Sequence, residues 1–355
     1  MSKVLYLYSE LSPYLKPMFE TLVDDYNVDL HVVFWDKNKL TPYEHDENAK
    51  IKYYKRSELN SEKIDRLIKT IEPDLIFAVG WMDKGYMRPL FNARRKGIDV
   101  VCGFDEVWNN TLRQKVGSLV FRIFGNLFFN FAMVSFTRQF EFARKLGFKT
   151  NNIIMNSLSA DVDLFELPEE ALSSKRANYP KSFIFAGRFS PEKGIQDLLE
   201  AYKIYKNELG GVWGLTLVGD GPVEVELDVD GVKCLGFQEP KQLKNSFKNA
   251  GALVMPSRFD KSPLVVHEAC CSGLPLILSD NIGNKSTFLI DGLNGFSFES
   301  ENVQALASCL KRIEALTIAK LDEFSKISYS LSKRVSPKIS AGSLLSITIQ
   351  NPKKN

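Results

Sequence analysis

Three segments, each following an apolar run of strand length, carry residue types and spacings suited to holding an anion. The first is Gly187-Arg188-Phe189-Ser190-Pro191-Glu192-Lys193-Gly194, set between the run Ser182–Ala186 and a helical pattern. A glycine-flanked turn with Arg and Lys five positions apart, opening a helix, brings two cations and backbone amides toward one phosphate. A solvated surface turn has the same composition, and both readings stand on this segment alone. The second is Gly219-Asp220-Gly221-Pro222 after Leu215–Val218, where glycine permits close approach of backbone to ligand or simply a tight turn. The third runs from Pro256 to Cys270 after Ala252–Met255. Ser262 suits an N-cap and Pro263 the first helical position, which leaves the amides of Leu264, Val265 and Val266 open at a positive helix end. Asp260 then lies in the incoming loop and Glu268 in the second turn. Two carboxylates flanking an anion site can each bond a sugar hydroxyl. A capped helix with two surface acids is the alternative.

The elements that must position these residues follow from the apolar pattern. In the first half the strand candidates are Val4–Tyr8, Val28–Phe34, Leu75–Val79, Ile98–Phe104, Phe131–Phe136 and Ile153–Met155. In the second half they are Ser182–Ala186, Leu215–Val218, Val232–Leu235, Ala252–Met255 and Pro275–Leu278. Amphipathic stretches such as Ser61–Ile71, Ile195–Leu209, Pro240–Asn249 and Val303–Leu316 alternate with them, the signature of βα units around parallel sheets. At roughly 150 residues per domain, 355 residues divide into two domains. We assign residues 1–165 to the first, 166–181 to a polar linker, 182–330 to the second, and 331–355 to a helical tail returning to the first. In open α/β sheets ligands lie outside the carboxyl ends of the strands, where all three segments fall.

Taken together and in order, FAGRFSPEKGIQDLLEAY, LTLVGDGP, LGFQEPKQLKNSFKNAGALVMPSRFDKSPLVVHEACCSGLPLILSD and IDGLNGFSF resemble the nucleotide-binding half of retaining glycosyltransferases of family 4. The resemblance covers most of residues 182–298. It implies an α/β GT-B fold, two Rossmann-like doubly wound domains facing a cleft, and a nucleoside-diphosphate-sugar donor. Arg188 and Lys193, with Gly187, would bind the donor diphosphate and stabilise charge on the departing nucleotide. Glu268 would hold the ribose hydroxyls, and Gly219 would let the nucleotide lie against the sheet. Asp260, with the backbone of Ser262, Pro263, Leu264 and Val265, would face the donor sugar and phosphate. The family's paired acids read Glu, seven residues, Glu; here they read Asp260, seven residues, Glu268, so the first acid is one methylene shorter.

The first half fits more loosely. Ile153–Phe165 is similar to the family's closing strand and domain exit, but Ser9–Tyr14 replaces its glycine-containing first loop. Asp105 directly follows the strand candidate Ile98–Phe104, where a carboxylate would orient an acceptor hydroxyl or cap a helix. Of the three histidines, His31 falls in a strand, His45 in a polar loop, and His267 on the helix face turned away from Glu268. None suits general-base work. The Asp161/Asp163 and Asp228/Asp230 pairs lie in the domain exit and a turn, and no metal or cofactor is assigned. No GxxxxGK[ST], GxGxxG or G-x-S-x-G motif argues for other nucleotide or hydrolase chemistry.

Composition bounds the rest. With 46 Lys+Arg against 43 Asp+Glu, no global basic field points to nucleic acid. Five scattered cysteines form no CxxC pair, which fits a reducing compartment. Met1-Ser2-Lys3 runs into an apolar stretch of strand length rather than a signal peptide, and the 14-residue run Ile123–Phe136 is too short to span a bilayer. A cytoplasmic location is expected, with peripheral attachment to the inner face of the membrane as a further expectation. Residues 84–149 hold twelve Lys/Arg and four Asp/Glu, a balance of 12 − 4 = +8. Arg94, Arg95, Lys96, Arg113, Lys115 and Arg122 lie there among Phe, Leu and Val, a surface suited to anionic lipid or to a solvated helix face. The expected function is transfer of a sugar to a glycan or lipid-linked glycan acceptor in polysaccharide or lipopolysaccharide assembly. A nucleotide-sugar epimerase and a non-catalytic nucleotide-sugar-binding protein are the alternatives.

Overall fold

A computed structural model of the chain describes residues 1–37, 48–225 and 229–350. It divides into two units, Met1–Ser159 with Pro337–Asn355, and Ala160–Ser336.

In the first unit the order is β1 (Lys3–Leu7), α1 (Leu15–Asp24), β2 (Asp29–Phe34), β3 (Lys52–Lys55), α2 (Ser61–Ile71), β4 (Leu75–Ala78), α3 (Lys84–Arg95), β5 (Asp99–Gly103), α4 (Leu112–Phe124), β6 (Phe131–Met133), α5 (Thr137–Lys145) and β7 (Ile153–Ile154). Among the described residues the strands form one parallel sheet in the order β3-β2-β1-β4-β5-β6-β7. Strand alternation sorts the core. Val4 and Tyr6 face a layer with Phe19 and Leu22 of α1, whereas Leu5 and Leu7 face Ile64 of α2, Leu90 of α3 and Phe142 of α5. Burial on both faces is why these strands read as continuous apolar runs.

The second unit contains α6 (Val162–Phe165), α7 (Glu169–Ala177), β8 (Ser182–Ala186), α8 (Ile195–Asn207), β9 (Gly214–Val218), β10 (Val232–Cys234), α9 (Pro240–Lys248), β11 (Ala252–Met255), α10 (Leu264–Cys271), β12 (Leu276–Ser279), α11 (Lys285–Phe288), β13 (Gly295–Phe298), α12 (Val303–Glu314) and α13 (Ile318–Ser332). Its parallel sheet runs β10-β9-β8-β11-β12-β13. The chain then returns to the first unit as α14 (Pro337–Gln350), whose Ala341, Leu344 and Ile347 are buried in the same layer as α1.

Three sequence expectations differ from the structure. The stretch 166–181, expected as a polar linker without a steady period, contains a helix: α7 starts after Pro168 with Glu169 and Glu170 in its first turn and Lys175 and Arg176 in its last. The acidic first turn, with Arg176 in the last, complements the helix dipole and lets a short helix form without a steady apolar period. The helical tail expected from Leu331 begins inside the last turn of α13, which ends at Ser332, and Pro337 then opens a separate helix. Strands β3 and β13 went unread, β3 because KYYK at the sheet edge has exposed charged ends and no apolar run. Among the described residues no helix is long and apolar enough to cross a membrane.

Candidate functional site

The carboxyl ends of β8 and β9 are interlocked. Gly187 N–H donates to Val218 C=O at 3.0 Å, Phe189 N–H to Asp220 C=O at 2.6 Å, and Val223 N–H to Phe189 C=O at 3.0 Å. The two turns approach so closely that a Cβ on Gly219, at φ +133°, would lie 1.9 Å from the Gly187 carbonyl oxygen. Glycine at 219 is therefore demanded by the neighbouring turn itself.

Beyond Gly187 the chain presents Arg188, exposed, and turns through a 3₁₀ segment at Pro191–Lys193 into α8. Glu192 C=O accepts from Arg258 N–H at 2.9 Å and Phe259 N–H at 3.3 Å, stitching this turn to the segment leaving β11. The Lys193 ammonium donates to the Asp260 carboxylate. Arg258 makes a bidentate pair with buried Asp197 of α8, Nε to Oδ2 at 2.8 Å and an Nη to Oδ1 at 2.6 Å. Asp260 is held on its other side by Asn281 and Gly283, whose N–H donates to the Asp260 C=O at 2.8 Å. Thus Lys193 and Asp260 touch, while Arg258 and Asp197, which the sequence reading passed over, fix the two segments that carry them.

The start of α10 corrects one expectation. Pro263, not Ser262, occupies the N-cap position, with ψ 109° and no side-chain cap, so the helix begins at Leu264. The Pro263 carbonyl accepts from Val266 N–H at 3.2 Å and from the buried Asn284 Nδ2 at 2.8 Å. Val266 is therefore not an open amide. Those of Leu264 and Val265 make no hydrogen bond among the described residues, and they stand at the positive end of the helix.

Further along α10, Glu268 is partly exposed, and its carboxylate has no hydrogen-bond partner among the described residues. Burial pushes its carboxyl up to about 7, and the charge of Asp161 adds to the shift. Asp161 itself caps α6 by accepting from Leu164 N–H at 3.1 Å. His267 is wholly buried against Phe288, with ring centroids 4.6 Å apart. Its Nδ1 accepts from Ala160 N–H at 3.0 Å and its Nε2 donates to Ser332 C=O at 2.9 Å, while burial lowers its pKa to about 4. A ring used at both nitrogens by backbone is a packing residue. His31 lies in β2 against Tyr54, whereas His45 and Asp228 lie outside the described residues.

In the first unit Asp105 follows β5 and accepts from Gln139 Nε2 at 3.1 Å and Ser135 Oγ at 3.4 Å. The N-cap of α4, the next helix along the chain, is Thr111 rather than Asp105. Asp83, at the end of the β4 turn, caps α3 and forms a bidentate pair with Arg56. Among the described residues no group of three or more His, Cys, Asp or Glu is arranged to hold a metal ion.

Comparison with known proteins follows these features. Residues 169–330 match the family model for glycosyl transferases group 1. The chain is 25% identical over 222 residues to the lipopolysaccharide 1,6-galactosyltransferase of Escherichia coli K12, covering 57% of this chain and 58% of that protein. It is 27% identical over 179 residues to an E. coli UDP-Gal:alpha-D-GlcNAc-diphosphoundecaprenol alpha-1,3-galactosyltransferase, covering 48% and 45%. The chain thus spans about half the length of the curated relatives it matches. Among solved structures, Anabaena HepE in complex with UDP superposes with a TM-score of 0.71 at 14% identity, over 98% of this chain and 100% of that one. The fold is GT-B. The matched segment contains Gly187, Arg188, Lys193, Gly219, Arg258, Asp260 and Glu268.

Proposed function

We propose that the chain is a retaining glycosyltransferase of family 4, moving a sugar from a nucleoside-diphosphate donor to a glycan or lipid-linked glycan acceptor in lipopolysaccharide or surface-polysaccharide assembly. The observation that carries this reading is the pairing of Lys193 with Asp260, with exposed Arg188 five residues before Lys193 in the same turn, inside the segment matching group 1 glycosyl transferases. The names of the relatives make a UDP-sugar the first donor to try.

In this reading Arg188, Lys193 and the amides of Leu264 and Val265 bind the diphosphate and stabilise the charge that grows on it as the bond to the sugar breaks. They supply positive charge from the chain itself, so no metal is assigned a role. Glu268 accepts from the ribose hydroxyls, and Asp260 both aligns Lys193 and faces the sugar. Asp105 orients the acceptor hydroxyl. The bond from the anomeric carbon to the diphosphate oxygen breaks, that carbon bonds the acceptor oxygen on the same face, and the hydroxyl proton passes to a phosphate oxygen of the leaving group.

The test is incubation with UDP-, GDP- and ADP-sugars, with and without glycan and lipid-linked acceptors. Acceptor-dependent release of nucleotide supports the reading; a changed donor sugar without transfer would indicate an epimerase, and binding alone a non-catalytic protein. Lys193→Ala is expected to lower turnover by about 10²–10³ while leaving the melting temperature within a few degrees, because the lost pair is only partly buried. Unchanged turnover in the folded variant would refute the role of Lys193.

A further inference from the structure

Helix α4 is turned inside out. A helix on a soluble domain normally points its apolar stripe at the core. None of the thirteen residues of α4 is buried. Only Gln114, Ser118 and Phe121 are partly covered, a stripe at i, i+4 and i+7, two of whose three members are polar. Its apolar residues lie elsewhere: Leu112 is 77% exposed, Leu119 61% and Ile123 63%, with Val116, Val120 and Phe124 each at least half exposed. At about 100° per residue these six cluster on the side roughly opposite the covered stripe.

The charges complete the pattern. On the same projection Arg113 falls between Val120 and Phe124 near one edge of the apolar face, and Lys115 and Arg122 lie beyond the other edge. No acidic residue occurs between Glu106 and Glu141. Long basic side chains at both margins of an outward apolar face can bury their stems among acyl chains while their heads reach phosphates. The helix is anchored to the unit from behind. Arg122 Nε donates to Lys145 C=O at 2.8 Å, Gln114 Nε2 to Val107 C=O at 2.7 Å, and Phe121 packs on Trp81 with centroids 5.0 Å apart.

We infer that α4 lies in the interface of an anionic lipid bilayer, its Leu112–Phe124 apolar face in the acyl boundary and its flanking cations on lipid phosphates. The occupant is lipid rather than a second copy of the chain because the face is bordered by cations alone. Two such faces would bring like charges together, whereas an anionic bilayer neutralises them. The inference rests on the exposure and charge of α4 and not on the proposed transfer activity.

Co-sedimentation of the full chain with phosphatidylglycerol/phosphatidylethanolamine vesicles, against phosphatidylcholine vesicles, tests it. The wild-type chain should bind the anionic vesicles and lose binding as salt is raised. Leu119→Asp with Ile123→Asp, and separately Arg113→Glu with Lys115→Glu, should each lower the bound fraction at least about tenfold. Because all four side chains are exposed, the variants should melt with the wild type, and Lys193→Ala should sediment like the wild type whether or not it transfers sugar. Failure of the wild-type chain to bind anionic vesicles overturns the inference, as does variant binding equal to wild type. Light scattering that shows a dimer abolished by Leu119→Asp/Ile123→Asp, without vesicle binding, also overturns it, in favour of a second copy.

Discussion

Glu268 has no hydrogen-bond partner among the described residues, and its carboxyl, though its residue is partly exposed, is desolvated enough to be sensitive to pH near neutrality. Burial first, and Asp161 second, lift its pKa to about 7. The ionised form accepts hydrogen bonds from two ribose hydroxyls more strongly than the neutral form, one of whose oxygens carries a proton. Affinity for a nucleoside diphosphate should therefore rise as pH increases through about 7, and Glu268→Gln should flatten that step in a titration calorimetry series. Stability moves the opposite way. The folded pKa lies above the unfolded one, so the native state gains from the neutral form at low pH and loses that advantage as pH rises through 7. Glu268→Gln should consequently melt several degrees above the wild type at pH 8 and with it at pH 4. Equal melting at pH 8 would show that the carboxylate is not desolvated. That Glu268 is an acid on α10 was legible in the sequence. Its pKa was not, because it depends on the packing around it and on Asp161, which stands 107 positions earlier.

At the scale of elements, the site depends on a tie between the turn before α8 and the segment after β11. Arg258 spans from one to the other through its fork on Asp197, and Glu192 accepts two amides of the same segment. Arg258 is thus a positioning residue, set beside the Lys193–Asp260 pair without being assigned to the donor. Arg258→Ala should lower kcat by roughly tenfold to 10²-fold, since loss of alignment at this scale is costly. Arg258→Lys should recover only part of it, because an ammonium cannot bridge both carboxylate oxygens. The double variant with Lys193→Ala should fall short of the product of the two effects. Full multiplicativity would mean that Arg258 does not act through Lys193.

The same elements show what a sequence can and cannot disclose. Parallel strands buried on both faces leave continuous apolar runs, so β1, β8 and β11 were legible to within a residue or two, and the residues at their ends with them. The tie of Arg258 to Asp197 joins positions 61 apart, and Asn284 reaches Pro263 across 21. Neither leaves a local pattern. Ser262-Pro263 carries the signature of a capped start, and Asn284 overrides it by taking the carbonyl that places Pro263 just outside the helix.

For the whole molecule, the decisive feature is that the chain leaves the first unit after Ser159 and comes back at Pro337. Leu344 and Ile347 of α14 are fully buried beside α1, each contributing about 1.5–3 kcal/mol, and a domain's net stability is only about 5–15 kcal/mol. A chain ended after Ser336 should therefore lose or sharply lower the melting transition of the first unit. It should retain nucleotide binding by the second, since α14 belongs to the first unit alone. Calorimetry with and without UDP would resolve the two transitions; an unaltered first-unit melt would show α14 to be dispensable.

This order of threading has a consequence during synthesis. At about 5–20 residues per second, a ribosome takes roughly 10–35 s to translate residues 160–336 before α14 emerges. Throughout that interval the flank of α1 that Leu344 and Ile347 cover in the finished fold stays open, so the lobe made first is the last to complete its core.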